Sequence, residues 1–243
     1  MRVSKRVKRT LGAMLFTLGF LIGLVVFVGA VWADFEAAMF DTAIKGDESL
    51  RPVRCPVIIT GDETGTISAA FHNPLDRLVK YFVRARISRG FVTYMREDKQ
   101  LLPVAPGETE RLEWAVTADD AAYGRVILVK VLLMANYPLP SRQATCGILT
   151  LDVPYLNGKQ LLALAVAASL VCMALGGGLW FQASRPVDEG FPKELARGMA
   201  ALAGSVVVGM IVAFLGPWLL GLIAVVFTAV LIVEVLRHVV QGS

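Results

Sequence analysis

The sequence contains little of what catalytic and metal sites are built from. It has two histidines, His72 and His238, and three cysteines among 243 residues. The apolar segments of the chain predict a membrane topology in which the two histidines lie on opposite sides, so they cannot form a zinc site together. A GxSxG elbow, a phosphate-binding glycine loop and an HExxH motif are also absent from the sequence. We therefore expect no enzyme activity and predict no catalytic residue, cofactor or metal ligand.

Charge is also scarce and unevenly distributed. Charged residues make up 18% of the chain and hydrophobic residues 56%, a balance typical of membrane proteins. Residues 1–10 contain five basic residues and no acidic one, whereas residues 34–159 contain 15 basic and 16 acidic residues. The net charge of +4 is thus a feature of the N-terminus and does not indicate nucleic-acid binding. By the positive-inside rule, it predicts a cytoplasmic N-terminus.

Long apolar segments predict four membrane spans. Residues 11–33 are 23 residues without a charge, which at about 1.5 Å per residue suffice for a hydrocarbon core of roughly 30 Å. Residues 161–182 form a second such segment. Residues 199–233 are 35 residues without a charge, and as one helix they would extend about 52 Å. We therefore predict two spans there, 199–215 and 217–236, with a break at Gly216-Pro217-Trp218.

These segments predict a four-helix transmembrane bundle in the plasma membrane, with both termini in the cytoplasm and residues 34–159 outside it. The remaining ranges are a basic head 1–10, a membrane-proximal connector 34–50, a β-sandwich 51–158, a cytoplasmic loop 183–198 and a tail 237–243. In the connector, Phe35, Met39, Phe40 and Ile44 have the spacing of a short amphipathic helix on the membrane surface, although a plain tether is equally compatible. A signal peptide cleaved after Ala33 is the alternative for the first span.

Between residues 51 and 153 the hydrophobic period changes from helical to two. In LVKYFVRARIS, residues 78–88, the apolar side chains at 79, 81, 83, 85 and 87 alternate with mostly polar ones, which indicates a half-buried strand. Turn residues separate seven predicted strands: 52–60, 65–71, 78–88, 91–95, 109–116, 126–134 and 144–153. We therefore predict an all-β, immunoglobulin-like sandwich inserted between spans 1 and 2.

Part of this region resembles a known type of module. The run GTISAAFHNP, the alternating strand, and LLPVAPGETERLEWAV with its Ala-Pro-Gly-Glu turn resemble bacterial immunoglobulin-like modules of the cell-adhesion-related and α-galactosidase-associated kind. The resemblance covers about residues 51–153. It implies a β-sandwich and carries no catalytic residue or ligand, and no family is recognised for the whole chain.

Two of the cysteines are placed to form a disulfide. Cys55 lies in the first predicted strand and Cys146 in the last, on the side of the membrane where disulfides persist. We predict a Cys55–Cys146 bridge, with two buried free thiols as the alternative. In a chain-entropy account, closing a loop of about 90 residues contributes on the order of 4–5 kcal/mol. Cys172 falls within the second span and is expected to be a packing residue.

Small residues recur at helical spacing in two of the spans. They are Gly19 and Gly23 in the first span, and Ala201, Ser205, Gly209 and Ala213 in the third. Small side chains at this spacing allow helix backbones to approach closely in lipid. The pattern predicts either a docking face for another membrane protein or packing among the chain's own four helices.

Two further groups of charged residues invite functional interpretations. Lys80, Arg84 and Arg86 share one face of the alternating strand. That face could bind an anionic envelope polymer or lipid headgroups, or it could be a solvated sheet face whose partners include Glu110 and Glu113. Near the C-terminus, one helix face carries Glu234, Arg237 and His238. This group is interpreted either as a proton relay or as a salt bridge at the end of a span.

These observations favour a non-enzymatic multi-pass membrane protein, an accessory or assembly subunit of a membrane complex that displays its sandwich outside. Its expected partners are the lipid bilayer and another membrane protein, and no nucleic acid. The alternative is a stand-alone binder of anionic envelope polymer or another extracytoplasmic ligand. A transporter or an enzyme is disfavoured because the ionisable groups that it needs are missing.

Overall fold

The computed structural model describes residues 4–50, 53–134, 136–185, 191–215 and 218–241. The helices in these ranges are α1 (Lys5–Met39), α2 (Gly158–Ala183), α3 (Phe191–Leu215) and α4 (Trp218–Gln241). The strands, all of which follow α1 and precede α2, are β1 (Glu48–Ser49), β2 (Val53–Arg54), β3 (Ile58–Thr60), β4 (Gly65–His72), β5 (Val79–Arg89), β6 (Phe91–Val104), β7 (Thr109–Val116), β8 (Val126–Leu133) and β9 (Arg142–Leu151).

The chain divides into two compact units. The helical unit comprises Met1–Val31 and Leu162–Ser243, and the β-unit comprises Trp32–Leu161. Helix α1 contributes to both units, because its residues up to Val31 belong to the first and those from Trp32 onward to the second.

The helices have the length and composition of membrane spans. Four segments are long and apolar enough to cross a membrane: Lys5–Met39, Gly158–Ala183, Lys193–Leu215 and Trp218–His238. This confirms the four predicted apolar helices. The long uncharged run is divided as expected, since α3 ends at Leu215 and α4 begins at Trp218. Gly216 and Pro217, where we predicted the break, lie outside the described residues.

The β-unit is a two-layer β-sandwich. One sheet has the strand order β1-β9-β8-β5-β6, with β3 also paired to β9, and the other has the order β2-β4-β7. In the first sheet, β5 lies between β6 and β8 and is antiparallel to both. One hydrophobic core takes side chains from both sheets. It includes the alternating residues predicted from β5, namely Val79, Tyr81, Val83, Ala85 and Ile87.

The first predicted strand, 52–60, is in fact two strands. β2 pairs with β4 in the three-stranded sheet, whereas β3 pairs with β9 in the six-stranded sheet. Pro56 lies between them, and a proline has no backbone N–H to donate to a sheet. The chain therefore crosses from one sheet to the other where the prediction had one continuous strand. Pro52 lies outside the described residues.

The fourth strand is much longer than predicted, since β6 extends to Val104 and does not end at Met95. The sequence lacks alternation there because core-facing positions at the edge of the sheet are polar. These positions are Arg96, Asp98 and Gln100, which oppose Ile87, Ala85 and Val83 of β5. Asp98 accepts hydrogen bonds from Trp114 Nε1 and Gln100 Nε2, so its burial is compensated. Inward-pointing charges of this kind also protect a sheet edge from pairing with other chains.

Helix α1 continues past residue 33, where the sequence predicted its end, and its last turns belong to the β-unit. Ala33, Ala37 and Phe40 are buried in a second apolar cluster with Ala122, Val126 and Leu128. The helix approaches β9 so closely that a Cβ at Gly147 would overlap the Ala33 carbonyl group. In this region Phe40 is buried and Met39 is exposed. The apolar side chains at 33, 37 and 40 follow a helical period and face the sheet.

Candidate functional site

The predicted anion-binding face lies on the outer side of the six-stranded sheet, where its arginines are already paired. Arg86 forms an ion pair with Asp41 through Nη1, and its Nε donates to Glu97 Oε1 at 3.0 Å. Arg84 Nε lies 3.0 Å from the same Glu97 oxygen. Lys80, by contrast, is exposed. Of the three predicted cations, only Lys80 is therefore exposed and outside these ion pairs, so a polyanion on this face would meet one such cation.

The acidic partners differ from those expected from the sequence. Glu110 and Glu113 lie on β7 and pair across to β4, in the other sheet. The residue opposite Arg86 is Glu97 on β6. Because the predicted strand ended at Met95, Glu97 was placed outside it. Asp41 was missed for a different reason, since it follows α1 and reaches the sheet only through the packing of that helix.

Lys130 completes this arrangement. It lies on β8 opposite Arg86 and is buried, and its Nζ donates to the carbonyl oxygens of Asp41 and Ile44, each at 2.5 Å. A cation at a helix C-terminus interacts favourably with the helix dipole. Burial lowers the pKa of Lys130, and the charge of Asp41 opposes that effect.

We call these residues the charged cluster: Asp41, Arg84, Arg86, Glu97, Lys99 and Lys130. Within it, hydrogen bonding from Lys99 is the largest factor that lowers the pKa of Glu97, and Arg86 and Arg84 add to it. The two acidic residues of the cluster, Asp41 and Glu97, are both paired with cations. The charged cluster attaches the end of α1 to the sheet.

The predicted disulfide is present. Cys55 lies between β2 and β3, Cys146 lies on β9, and their Cα atoms are 6.6 Å apart. Both side chains pack against the sandwich core. The bridge therefore ties the crossing segment between the two sheets to the six-stranded sheet. Cys172 is a free cysteine on α2.

In the helical unit, the small residues of α1 meet α2 and α3. Ser169 is fully buried, and its Oγ donates to the Gly19 carbonyl oxygen at 2.8 Å. A Cβ at Gly19 would lie 2.7 Å from the Met173 nitrogen, and one at Gly23 would lie 2.7 Å from Val206 Cγ1. Gly19 and Gly23 are therefore covered by this chain's own helices.

The small residues of α3 are divided between the inside and the outside of the helical unit. Ser205, Gly209 and Ala213 are buried, and a Cβ at Gly209 would lie 2.6 Å from the Phe27 ring. Ala201 is exposed, as is Gly204, which has nothing within 4 Å of a Cβ position. Three of the four small residues predicted on α3 are thus buried within this chain, and the fourth is exposed.

Two further groups of polar side chains are paired with each other. His238 Nε2 lies 3.2 Å from Glu234 Oε1, and both side chains are more than half exposed. Asp120 accepts from Nε and Nη2 of Arg96 and from the Thr117 N–H. Within the described ranges, no group of three or more His, Cys, Asp or Glu side chains is arranged to hold a metal ion.

One surface feature was not found from the sequence. Phe91, Tyr94 and Tyr123 are 55%, 65% and 64% exposed. The Phe91 ring lies edge-on to both tyrosines, with centroid separations of 6.0 Å to Tyr94 and 5.8 Å to Tyr123. We call these three residues the aromatic patch. Sequence alone did not reveal it because Tyr123 is distant in the chain from the β5–β6 hairpin.

Comparisons with known proteins do not assign a family. No family model matches the sequence, and no curated protein matches it. Similar solved structures include a β-glucuronidase from Bacteroides uniformis, at 13% identity and a TM-score of 0.30 over 39% of this chain and 12% of that one. A cycloisomaltooligosaccharide glucanotransferase from Paenibacillus sp. is 16% identical, with a TM-score of 0.32 over 46% of this chain and 15% of that one.

A third similar structure is the CARDB domain of a Pyrococcus furiosus protein, solved in complex with di-metal ions. It is 9% identical, with a TM-score of 0.31 over 42% of this chain and 90% of that domain. The chain thus matches only a small part of the two enzymes. At these TM-scores the similarities carry no conclusion about activity, ligand or partner.

Proposed function

We propose that the chain is a non-enzymatic multi-pass membrane protein that acts as an accessory or assembly subunit of a membrane complex. Its immunoglobulin-like sandwich, inserted between spans 1 and 2, is displayed on the extracytoplasmic side of the plasma membrane. The proposal is carried by the disulfide Cys55–Cys146, which closes a sandwich in a chain with four membrane-length helices. Disulfides persist in oxidising compartments and are rare in the cytosol.

The charge distribution supports the same orientation. The described part of the basic head, Lys5 to Arg9, is exposed. Basic residues beside a span remain on the cytoplasmic side. A cytoplasmic start to α1 would leave the β-unit on the opposite side of the membrane, and the disulfide supports the same orientation.

Two features support the role as a subunit: the ion pairs of the charged cluster and the exposed apolar side chains of α4. Within the β-unit, Arg84 and Arg86 already form ion pairs with Glu97, and Arg86 also pairs with Asp41. This weakens the polymer-binding alternative, although Arg84 Nε donates no hydrogen bond. In the helical unit, α4 presents an apolar surface with exposed Leu219, Ile223, Val226, Val230 and Val233. Such a surface suits lipid and the helices of a partner.

The orientation is tested by labelling single cysteines in a Cys172→Ala background. Tyr137→Cys, at a side chain that is 90% exposed in the β-unit, should react with an impermeant maleimide on intact cells. Lys193→Cys, at an exposed position on α3, should react only after permeabilisation. The reverse pattern would contradict the proposed topology.

Association is tested by native gel electrophoresis of the chain extracted in mild detergent, where a discrete larger complex is expected. Gly204→Leu should release a partner that packs on the outer face of α3, since the chain itself leaves space at this position. Gly178→Leu, at an equally open glycine on α2, is the matched control. A wild-type chain that migrates as a lone monomer would contradict the role as a subunit.

A further inference from the structure

The aromatic patch is formed by two loops at one end of the sandwich. Phe91 and Tyr94 lie at the tip of the β5–β6 hairpin, and Tyr123 lies in the loop before β8. The two loops are joined by a hydrogen bond from the Tyr123 N–H to the Gly90 carbonyl oxygen at 2.8 Å. Tyr123 has a positive φ of 54°, a conformation that is uncommon for a bulky residue. The hydrogen bond between the two loops therefore fixes the three aromatic side chains in exposed positions.

The same end of the sandwich is where the chain enters and leaves the β-unit. Ala122, the neighbour of Tyr123, packs with Ala33 and Ala37 of α1. On the exit side, Leu151 at the end of β9 pairs with Thr60, and the N–H of Gly158, the first residue of α2, donates to Glu63 Oε2 at 2.6 Å. The two loops that carry the patch therefore lie at the end of the β-unit where the chain arrives from α1 and departs into α2.

Other exposed aromatic and basic residues belong to this end. Trp32, the first residue of the β-unit, and Tyr155, in the segment before α2, are both exposed. Arg89 and Arg125 are exposed beside the hairpin tip and the Tyr123 loop. Tyrosine and tryptophan are enriched at membrane–water interfaces, and arginine pairs well with phosphate.

We propose that the aromatic patch lies in the headgroup region of the outer leaflet, with Arg89 and Arg125 against lipid phosphates. The proposed occupant is lipid and not a protein partner, because the chain enters the β-unit from α1 and leaves it into α2 at this end, and the proposed topology has both helices in the bilayer. Phe91 and the tyrosine rings bury their apolar bodies, while the phenolic hydroxyl groups remain among polar headgroups. This inference rests on the proposed membrane topology.

The test measures the depth of nitroxide labels in the full chain, reconstituted in vesicles of phosphatidylcholine and phosphatidylglycerol. A Cys172→Ala background carries one further cysteine at a time. Tyr94→Cys reports on the patch, and Phe91→Cys is a second position in it. Tyr137→Cys is the matched control, since Tyr137 is also an exposed aromatic residue and lies beyond the C-terminal end of β8, at the opposite end of the strands from Tyr123. Leu164→Cys, exposed on α2, reports on the span itself.

The collision rate of each nitroxide with oxygen, which partitions into lipid, is compared with its collision rate with a water-soluble nickel chelate. We expect the ratio of the oxygen rate to the nickel rate to be several-fold higher at residues 94 and 91 than at residue 137. The ratio at residue 164, within the span, should be higher still. If residues 94 and 91 match residue 137 while residue 164 is in lipid, the inference is wrong and the proposed topology stands. Low collision rates with both reagents at residue 94 would also overturn the inference, because they indicate a covering protein. An aqueous residue 164 would overturn the topology itself.

Discussion

Helix α1 packs by different means in the two units that it joins. In the helical unit it meets its neighbours through Gly19, which lies against the backbone of α2, and through Gly23, which lies against the side chains of Ser169 and Val206. In the β-unit it meets a sheet through Ala33, Ala37 and Phe40, and its end is held by ion pairs. Helix-on-helix packing in lipid depends on small side chains, because lipid offers no hydrophobic driving force between helices. The sheet surface accepts a helix with ordinary apolar side chains.

The two units also differ in their use of charge. The described α3 and α4 residues between Met199 and Val233 are uncharged, whereas the β-unit buries Lys130 and Asp120 with partners in place. A buried charge is tolerated only when it is paired or hydrogen-bonded. Close packing therefore stabilises one unit, while the other also depends on specific polar contacts and a disulfide.

Removing the disulfide should have the largest effect and should be confined to the β-unit. The double variant Cys55→Ala/Cys146→Ala is expected to lose about 2–5 kcal/mol of unfolding free energy, as is usual for native disulfides. Chemical unfolding of the purified chain, followed by hydrogen exchange of β5 and β8, measures the loss. The control Cys172→Ala removes a free thiol of the helical unit. Equal stability of the double variant and this control would contradict the prediction.

Breaking the charged cluster should have the next largest effect. Arg86→Met leaves the Asp41 carboxylate, with only 9% of its side chain exposed, without its ion-pair partner. We expect a loss of about 1–3 kcal/mol, the usual cost of an unsatisfied buried group. The measurement is the denaturation midpoint of the β-unit.

Lys80→Met is the matched control for this change, because Lys80 lies on the same strand face but is exposed. It should change stability by less than about 0.5 kcal/mol. The double variant Asp41→Asn/Arg86→Met should recover part of the loss, since the buried Asp41 carboxylate that lost its ion-pair partner is then replaced by a neutral amide, while Lys130 keeps its hydrogen bonds to the carbonyl oxygens of residues 41 and 44. No recovery would mean that packing, rather than charge, explains the effect of Arg86→Met.

A bulky residue at Gly209 tests the helical unit. Gly209→Leu would collide with the Phe27 ring, and overpacking of this kind typically costs about 1–3 kcal/mol. Gly204→Leu, on the same helix but with open space around it, should leave the stability unchanged. Thermal unfolding in detergent compares the two. If both variants are equally stable, α1 and α3 do not pack as described.

The smallest expected effect is a pH dependence at Glu97. Lys99, Arg86 and Arg84 hold the pKa of this carboxylate below its ordinary value of 4.5 in the folded protein. The unfolded state therefore binds more protons as the pH falls below about 4.5, so this stabilisation is complete above that pH and is lost below it. Glu97→Gln should be less stable than wild type by less than about 1 kcal/mol near pH 7. The difference should shrink near pH 3.5, and a difference independent of pH would contradict the assignment.

Several features were determined by the sequence alone because they depend on local composition and period. An uncharged apolar run of about 20 residues or more is long enough to span a membrane as a helix, so four helices could be predicted. The alternation from Val79 to Ile87 correctly identified the core face of β5, since successive side chains of a strand point to opposite faces. The Cys55–Cys146 pair followed from cysteine count and compartment.

Only the tertiary structure decided which partners these faces meet. Glu97 became the partner of Arg86 because β6 pairs with β5, and Asp41 did so because the end of α1 lies on the sheet. The tertiary structure also decided the surroundings of two glycines of α3. Gly209 faces the Phe27 ring, whereas Gly204 faces open space. A periodic pattern shows that a face is covered or exposed, but the neighbour that covers it is brought there by residues distant in the chain. Local sequence carries no information about that neighbour, because packing of distant segments is what selects it.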